Sequence, residues 1–241
     1  MTDKQPVVLF GCIHIGFKYA DLEYTKKAVK WAKKNKAKVL LLGDNFENAI
    51  ATPDKALMMF DQNQTPNEQL NILAALLEPI KSQIVGACTS NHSKRSYRVA
   101  GIDLDEQLSH RLGYADKYKG DVGFCTIKAG NQSYRTVYTH GIGSGSNVLG
   151  DFRKLNSVYP GVDIIAASHT HTCLTTQEAF FSVNDDGREV NRVTYVRTGS
   201  AIEYPAYAEE QLYRPQPKGF SIMWLGTKEK SVDVQTYFDF K

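Results

Sequence analysis

The 241-residue sequence contains few cysteines, and their spacing excludes the common cysteine-based frameworks. No C-x-x-C pair is present, which argues against a zinc ribbon, and the spacing gives no disulfide framework. The four cysteines are Cys12, Cys88, Cys125 and Cys173. A reducing, cytoplasmic location is therefore expected.

Long hydrophobic runs and a strong charge of one sign are also absent. No stretch approaches the ~20 apolar residues of a membrane-spanning helix, and the first residues do not resemble a signal peptide, so we expect no membrane association. The net charge of +3 does not by itself indicate nucleic-acid binding. The length suits one large core, and we predict a single domain over residues 1–241. The sequence does not indicate an oligomeric state.

The sequence does contain buried strands that alternate with helices. Apolar runs predict strands at 6–10, 39–42, 82–88, 134–139 and 162–167. Apolar faces at helical spacing predict helices at 21–35, 67–81 and 103–112. Further strands are predicted near 176–184, 191–198, 219–226 and 231–238. The strand–helix–strand order at the start of the chain predicts that the first two strands pair in parallel.

Residues that can bind metals follow most of these strands. Five of the six histidines come just after a predicted strand, whereas His110 lies in a predicted helix. The five are His14, His92, His140, His169 and His171. Because the carboxyl ends of parallel strands gather along one rim of a sheet, these imidazoles can converge with Cys12, Asp44 and Asn91. Such nitrogen, oxygen and sulfur ligands suffice for two transition-metal ions.

The positions of individual residues refine this prediction. Asp44 follows a buried strand, and its two oxygens can bind two cations, although an aspartate there is more often a turn or helix-cap residue. His169 and His171 are alternate residues of an extended segment, so both rings can reach one metal cluster. Asn91 and His92 are adjacent and diverge, so one can bind metal while the other faces a substrate.

In their order along the chain, these residues resemble the motifs of the calcineurin-like metallophosphoesterases, which are DxH, GD, GNH[DE], H and GHxH. The matching segments are Cys12-x-His14, Gly43-Asp44, Asn91-His92, His140 and Ser168-His169-x-His171. The resemblance covers about residues 7–171. It implies an α/β fold, a four-layer α-β-β-α sandwich with two mixed central sheets. It also implies a cofactor of two divalent transition-metal ions, which could be Mn, Zn or Fe.

The resemblance further implies a role for each residue. Asp44 would bridge the ions, with Cys12, His14 and His171 on the first ion and Asn91, His140 and His169 on the second. A hydroxide that bridges the ions would attack the phosphate ester in line. Asp44 and His92 would be the catalytic residues, and His92 would bind the phosphate and assist the leaving group without binding metal. Asn91 and His92 are also predicted to be substrate-binding residues.

Three positions depart from the family pattern. Cys12 replaces an aspartate, and a thiolate there would favour zinc or iron over manganese or magnesium. Alternatively, Cys12 is a small packing residue and the first ion is weakly held or lost. Ser93 replaces the acid that follows the Asn-His pair, so His92 is expected to be held differently. Ser168 replaces a glycine, which is a milder change.

Basic residues after Ser93 guide the prediction of the substrate. Lys94, Arg95 and Arg98 suit a polyanionic substrate, with Lys94 and Arg95 as predicted substrate-binding residues, although a solvent-exposed basic loop is an equal alternative. We therefore predict a phosphodiesterase or nuclease acting on nucleic acid, such as DNA, or on nucleotides. The alternatives are a phosphomonoesterase for a phosphoprotein or metabolite, and a weakened family member that acts as a binding protein.

Overall fold

The computed structural model describes residues 3–51, 56–141, 148–185, 187–210, 212 and 214–240, and these form strands and helices in alternation. The strands are β1 (Lys4–Phe10), β2 (Lys38–Leu41), β3 (Ile84–Ala87), β4 (Val122–Ala129), β5 (Gln132–Thr139), β6 (Ile164–Ala167), β7 (Leu174–Asn184), β8 (Gly187–Arg197), β9 (Ser221–Gly226) and β10 (Val232–Gln235). The helices are α1 (Leu22–Lys34), α2 (Pro66–Leu77), α3 (Ser93–Ala100), α4 (Leu104–Leu112), α5 (Val148–Val158) and α6 (Ala206–Glu210).

The strands form two mixed five-stranded sheets. The first has the order β10-β9-β1-β2-β3 and the second the order β4-β5-β6-β8-β7. In the first sheet β1 pairs in parallel with β2, with Phe10 opposite Leu41, as the sequence predicted. β9 runs antiparallel to β1. In the second sheet β6 is parallel to both β5 and β8.

Alternation along β1 shows how the two sheets pack. Val7 and Leu9 belong to an apolar cluster that contains side chains of both sheets, such as Tyr138. Val8 and Phe10 point the opposite way, into a second cluster with residues of α1, α2 and α4. Strands buried on both faces explain why the apolar runs in the sequence are continuous.

A third cluster covers the outer face of the second sheet. Phe152 of α5 stacks on Tyr195 of β8, with ring centroids 5.3 Å apart, and packs beside Val137 of β5. The layers therefore run helices, sheet, sheet, helix. The predicted four-layer α-β-β-α sandwich with two mixed sheets is confirmed.

Two predicted helices show how local sequence sets their ends. Asp21 caps α1 by accepting a hydrogen bond from the Tyr24 main-chain nitrogen at 2.8 Å, as predicted. The helix predicted at 67–81 instead ends at Leu77 and continues as a 3-10 turn, Glu78–Gln83. Pro79 lies at the start of this turn, and a proline cannot donate the hydrogen bond that continues an α-helix.

The basic segment after His92 differs from the loop considered above. Residues Ser93–Ala100 form α3, which begins close to the carboxyl end of β3. The buried residues of α3 are Ser93 and Arg95, so the helix has a polar rather than an apolar inner face. A polar inner face explains why the helix was not predicted, because periodic apolar residues are the main signal of a helix in sequence.

Helix α5 was also not predicted from the sequence. Among the described residues, no helix combines the length and the apolar composition needed to cross a membrane. The proposed single domain over residues 1–241 stays a prediction.

Candidate metal centre

The candidate ligands all follow strands at one edge of the paired sheets. β1 is followed by Cys12 and His14, β2 by Asp44, β3 by Asn91 and His92, β5 by His140, and β6 by His169 and His171. Cys12, His14 and His171 place their ligand atoms within 4.8 Å of one another, and so do Cys12, Asp44 and His140. The predicted convergence of the strand ends is therefore present in the structure. His110 lies in α4 and is exposed, away from this group.

The backbone at these residues adopts an unusual conformation. Five candidate ligands have φ in the left-handed region, at 53° for Cys12, 52° for His14, 47° for Asp44, 79° for His169 and 59° for His171. Side-chain-bearing residues in this region cost of order 1–3 kcal/mol each, and such strain concentrates at functional sites. In a regular strand, alternate side chains would point to opposite faces of the sheet. The left-handed backbone at these residues lets their side chains point toward one another instead.

Gly43 is the residue that lets the loops come close together. It has φ +76°, and a Cβ added there would lie 2.7 Å from the Ser90 Cβ and 3.0 Å from His140 Nδ1. A larger residue would therefore push the loop that carries Asp44 away from His140. This contact explains the Gly-Asp order in the sequence.

The first imidazole pair consists of His14 and His171. Their Nε2 atoms lie 3.4 Å apart. Two nitrogens bound to one tetrahedral zinc at about 2.0–2.1 Å would be separated by about 3.3–3.4 Å. His14 Nδ1 donates to Glu47 Oε2 at 3.1 Å, so its Nε2 carries the lone pair that faces His171. The spacing and tautomer of the first pair fit a bound metal ion.

The second imidazole pair consists of His140 and His169. His140 Nε2 lies 3.0 Å from His169 Nδ1, while His140 Nδ1 donates to the Leu42 carbonyl oxygen at 2.8 Å. Asp44 lies between the two pairs. Its Oδ2 is 3.0 Å from His140 Nε2 and 3.9 Å from His14 Nε2. A carboxylate in this place can contact ions at both pairs.

Burial and mutual electrostatic interactions set the charges of these groups. Burial alone would raise the pKa of Asp44, but His140 and His92 hold that pKa well below its usual range. Asp44 is therefore ionised although it is 2% exposed. Burial lowers the pKa of His92 to about 4, and burial with the nearby His14 lowers that of His171 to about 3. Neutral imidazole is the form that binds metal.

Cys12 lies where it can reach both pairs. Its side chain is fully buried, and its Sγ accepts a hydrogen bond from the His169 main-chain nitrogen at 3.3 Å. Burial and the field of Asp44 raise the pKa of the thiol far above its usual range. A coordinated metal would reverse this, because metal binding deprotonates a thiol. The geometry is compatible with ligation by Cys12, which stays a prediction.

His92 is held without an acid at position 93. Its Nδ1 donates to the Glu47 carbonyl oxygen at 2.8 Å, and its Nε2 accepts a hydrogen bond from Arg95 Nη2 at 2.9 Å. Arg95 Nη1 in turn donates to the Glu47 carbonyl oxygen at 2.8 Å and to Glu47 Oε1 at 3.2 Å. Glu47 and Arg95 together fix the ring.

Glu47 is the main site residue that the sequence prediction missed. It is 6% exposed and contacts His14, His92 and Arg95 at once. Burial raises its pKa, but the hydrogen bond with His14 and the nearby cationic groups outweigh this effect and lower the pKa. A second acid three residues after Asp44 was the available signal, although spacing alone could not show that it faces the histidines.

A cavity of about 330 Å³ is lined by His14, Asp44, His92, His169 and His171. Its other lining residues are Phe17, Glu47, Asp61, Asn91, Arg95 and Ile202. Asn91 is exposed on the cavity wall, so its ligation stays a prediction. Lys94 forms an ion pair with Asp121 and lies outside this lining, and its contact with substrate is likewise a prediction. A larger groove of about 440 Å³, beside β8 and β10, contains none of the candidate ligands.

The donor set fits divalent transition-metal ions. Cys12, Asp44, His14, His140 and His171 meet in groups whose ligand atoms lie within 4.8 Å of one another, and His169 lies 3.0 Å from His140. The two nitrogen pairs have separations suited to coordination. A metal ion held here would supply Lewis-acid activation beside the guanidinium of Arg95.

Comparisons with known proteins concern the fold. No protein-family model matches the sequence, and a search of curated proteins finds no match. A predicted phosphoesterase from Streptococcus pneumoniae TIGR4 is 12% identical, with 97% of this chain and 90% of that chain covered and a TM-score of 0.46. Vacuolar protein sorting 29 (Vps29) from Cryptosporidium parvum is 12% identical, with 96% of each chain covered and a TM-score of 0.48. Vps29 from Entamoeba histolytica, complexed with zinc, is 13% identical, with 98% and 100% covered and a TM-score of 0.45.

These similarities describe overall arrangement and assign no residue role to the present chain. In the molecule itself, two mixed sheets carry the motif residues at the ends of β1, β2, β3, β5 and β6. The structure therefore has the α-β-β-α arrangement that the sequence motifs implied, with those motif residues at one edge of the sheets.

Proposed function

We propose that this protein is a metal-dependent phosphoesterase that cleaves phosphodiesters of nucleic acid or nucleotides. The observation that carries the proposal is the position of Asp44 between two imidazole pairs, His14 with His171 and His140 with His169. When bound, two divalent ions would polarise the phosphoryl oxygens and supply a nucleophile at neutral pH. The four unpaired cysteines suit a reducing, cytoplasmic location.

Each group of residues has a distinct task in this proposal. Asp44 would bridge the two ions, with one imidazole pair on each ion. Cys12 would complete the first ion's ligands, and Asn91 the second's. Arg95 and His92 line the cavity beside them and would bind the phosphate, His92 by taking up a proton at Nε2 in place of the hydrogen bond that it accepts there from Arg95.

Arg95 is the residue that favours an anionic phosphate group as substrate. Its guanidinium is 8% exposed and lies against His92, and its Nε has no hydrogen-bond partner among the described residues. A guanidinium can present several donors to the non-bridging oxygens of a phosphate. Arg98 of α3 adds positive charge, which suits a polyanionic chain, and Lys94 would add to it by exchanging its partner Asp121 for the substrate.

A single assay separates the main possibilities. The purified protein is incubated with a 5′-phosphorylated, internally labelled DNA oligonucleotide, with manganese and separately with zinc or iron. A gel and a free-phosphate assay are read together. We expect shortened chains that are lost in Asp44→Asn and retained in Asp163→Asn, a remote aspartate directly before β6.

The other outcomes redirect or contradict the proposal. Free phosphate with intact chains would indicate a phosphomonoesterase. Neither product with any of the metals would contradict cleavage of nucleic acid. Shortened chains that persist in Asp44→Asn would show a contaminating nuclease.

A further inference from the structure

A buried polar cluster lies directly behind the proposed metal centre. It consists of Asn45, Ser93 and Asp105, and is called the Asp105 cluster below. Asp105 is in the first turn of α4 and is 2% exposed. Its Oδ1 accepts a hydrogen bond from Asn45 Nδ2 at 2.6 Å, and its Oδ2 accepts one from Ser93 Oγ at 2.7 Å. One carboxylate thus joins the loop after β2, the start of α3 and the start of α4.

The two donors to Asp105 are sequence neighbours of the central site residues. Asn45 follows Asp44, and Ser93 follows His92. The His92 main-chain nitrogen also donates to Asp44 Oδ1 at 3.3 Å. The Asp105 cluster therefore controls the spacing between the segment that carries Asp44 and the segment that carries His92.

The charge of Asp105 is costly in the protein without metal. Both of its oxygens contact neutral donors, and burial with the nearby Asp103 raises its pKa to about 7. An asparagine at this position could keep both hydrogen bonds, because Ser93 Oγ can accept as well as donate. Burying an acid where an amide would fit lowers the stability of the fold. The presence of the acid here therefore indicates that its negative charge serves another purpose.

That purpose would be to attract two divalent cations to the metal centre. A buried negative charge behind the ligands favours cations at the site, and this electrostatic interaction is little screened in the interior. Ser93 stands where the family pattern has an acid, and Asp105 brings a carboxylate to the same place from α4. Asp105 is not itself placed as a ligand, since both of its oxygens face Asn45 and Ser93.

We infer that Asp105 is a positioning residue of the metal centre, whose buried charge and two hydrogen bonds hold the Asp44 and His92 segments for two divalent ions. The inference rests on the proposed two-metal site. It assigns Asp105 an effect on metal affinity that a purely structural aspartate would lack.

The test compares thermal unfolding of the full chain without metal and with zinc or manganese. In Asp105→Asn we expect the metal-free unfolding temperature to be equal to or above that of the wild type. We expect the metal-induced rise to be smaller, with apparent metal affinity weakened about tenfold, as for other residues that support metal ligands. Asp163→Asn is the matched control, and its metal-induced rise should be unchanged.

A second variant keeps the inference testable if Asp105→Asn does not fold. Ser93→Ala removes one hydrogen bond to Asp105 while the carboxyl group stays in place, and it should weaken metal affinity about threefold to tenfold. An unchanged metal response in a folded Asp105→Asn, or in Ser93→Ala, would overturn the inference. A wild-type protein with no metal response would instead overturn the proposed metal site itself.

Discussion

The two imidazole pairs are built from the same residue type but are supported differently. In the first pair, His14 Nδ1 donates to the Glu47 carboxylate. In the second pair, His140 Nδ1 donates to the neutral main-chain carbonyl of Leu42. A carboxylate partner carries a full charge and holds a metal-binding ring by a stronger, charge-assisted hydrogen bond than a neutral carbonyl does. The first pair should therefore depend more strongly on its supporting residue than the second.

The difference matters because, in the proposed site, Asp44 would bind the ions of both pairs. Its Oδ2 lies 3.0 Å from His140 but 3.9 Å from His14. The negative charge nearest the second pair is that of Asp44. The negative charge nearest the first pair is that of Glu47. Cys12 lies near both pairs and can supply a further charge if it ligates.

The change that should break both pairs together is Asp44→Asn. The amide keeps the shape and removes the charge that both ions would share. Loss of several kcal/mol of transition-state stabilisation corresponds to a fall of about a thousandfold in turnover. The fall is measured by comparing phosphodiester turnover of the variant and the wild type with manganese or zinc. A loss below about tenfold would show that the two pairs work without a shared carboxylate.

Glu47→Gln should separate the first pair from the second. We expect metal affinity at the first pair to fall by about 10–100-fold, the range seen when a group supporting a metal-bound histidine is removed. Calorimetric titration with zinc should show one binding step shifted and the other nearly unchanged.

A matched glutamate gives the control for this change. Glu68 is at the exposed capping box of α2. Glu68→Gln should leave both binding steps in place. Equal shifts of both steps in Glu47→Gln would contradict the unequal support of the two pairs.

Ser168→Ala tests the weaker support of the second pair. Ser168 Oγ donates to the Leu42 carbonyl oxygen at 2.7 Å and lies 3.0 Å from His140 Nδ1. A neutral hydrogen bond contributes about 1 kcal/mol, so metal affinity at the second pair should fall only about fivefold. The same titration measures this change, and an effect larger than that of Glu47→Gln would reverse the comparison.

Asp163→Asn should leave both pairs unaffected while changing stability. Burial raises the pKa of Asp163, but hydrogen bonds from Arg135 and Lys230 outweigh it and lower the pKa below 3.8. The stabilising contribution is therefore complete above the unfolded-state pKa and is lost as the pH falls through the folded-state pKa. Free energies of unfolding measured from about pH 7 to about pH 3 should show the variant's deficit shrinking in acid. A deficit that stays constant with pH would argue against this ion pair.

The sequence was most informative where function depends on strand ends. Five histidines after apolar strands predicted one cluster, because parallel strands bring their carboxyl ends together. The same reasoning placed Asp44 at this edge, and the resemblance to the family implied its bridging position. These features depend on the order of strands and residues, which is visible in sequence.

The supporting residues were not predictable in the same way. Glu47 reaches His14 because the loop after β2 folds back, and no periodic pattern encodes that turn. Helix α3 buries Ser93 and Arg95 rather than apolar residues, so it was considered as a loop. Asp105 is ten or more residues from its partners in sequence and meets them only in the folded chain.

Metal stoichiometry decides whether two ions share the Asp44 carboxylate, as we propose. The protein is loaded with zinc, passed through a desalting column to remove free metal, and analysed for zinc per chain. We predict two zinc ions per chain for the wild type and at most one for Asp44→Asn. One ion or none in the wild type would contradict the two-metal centre.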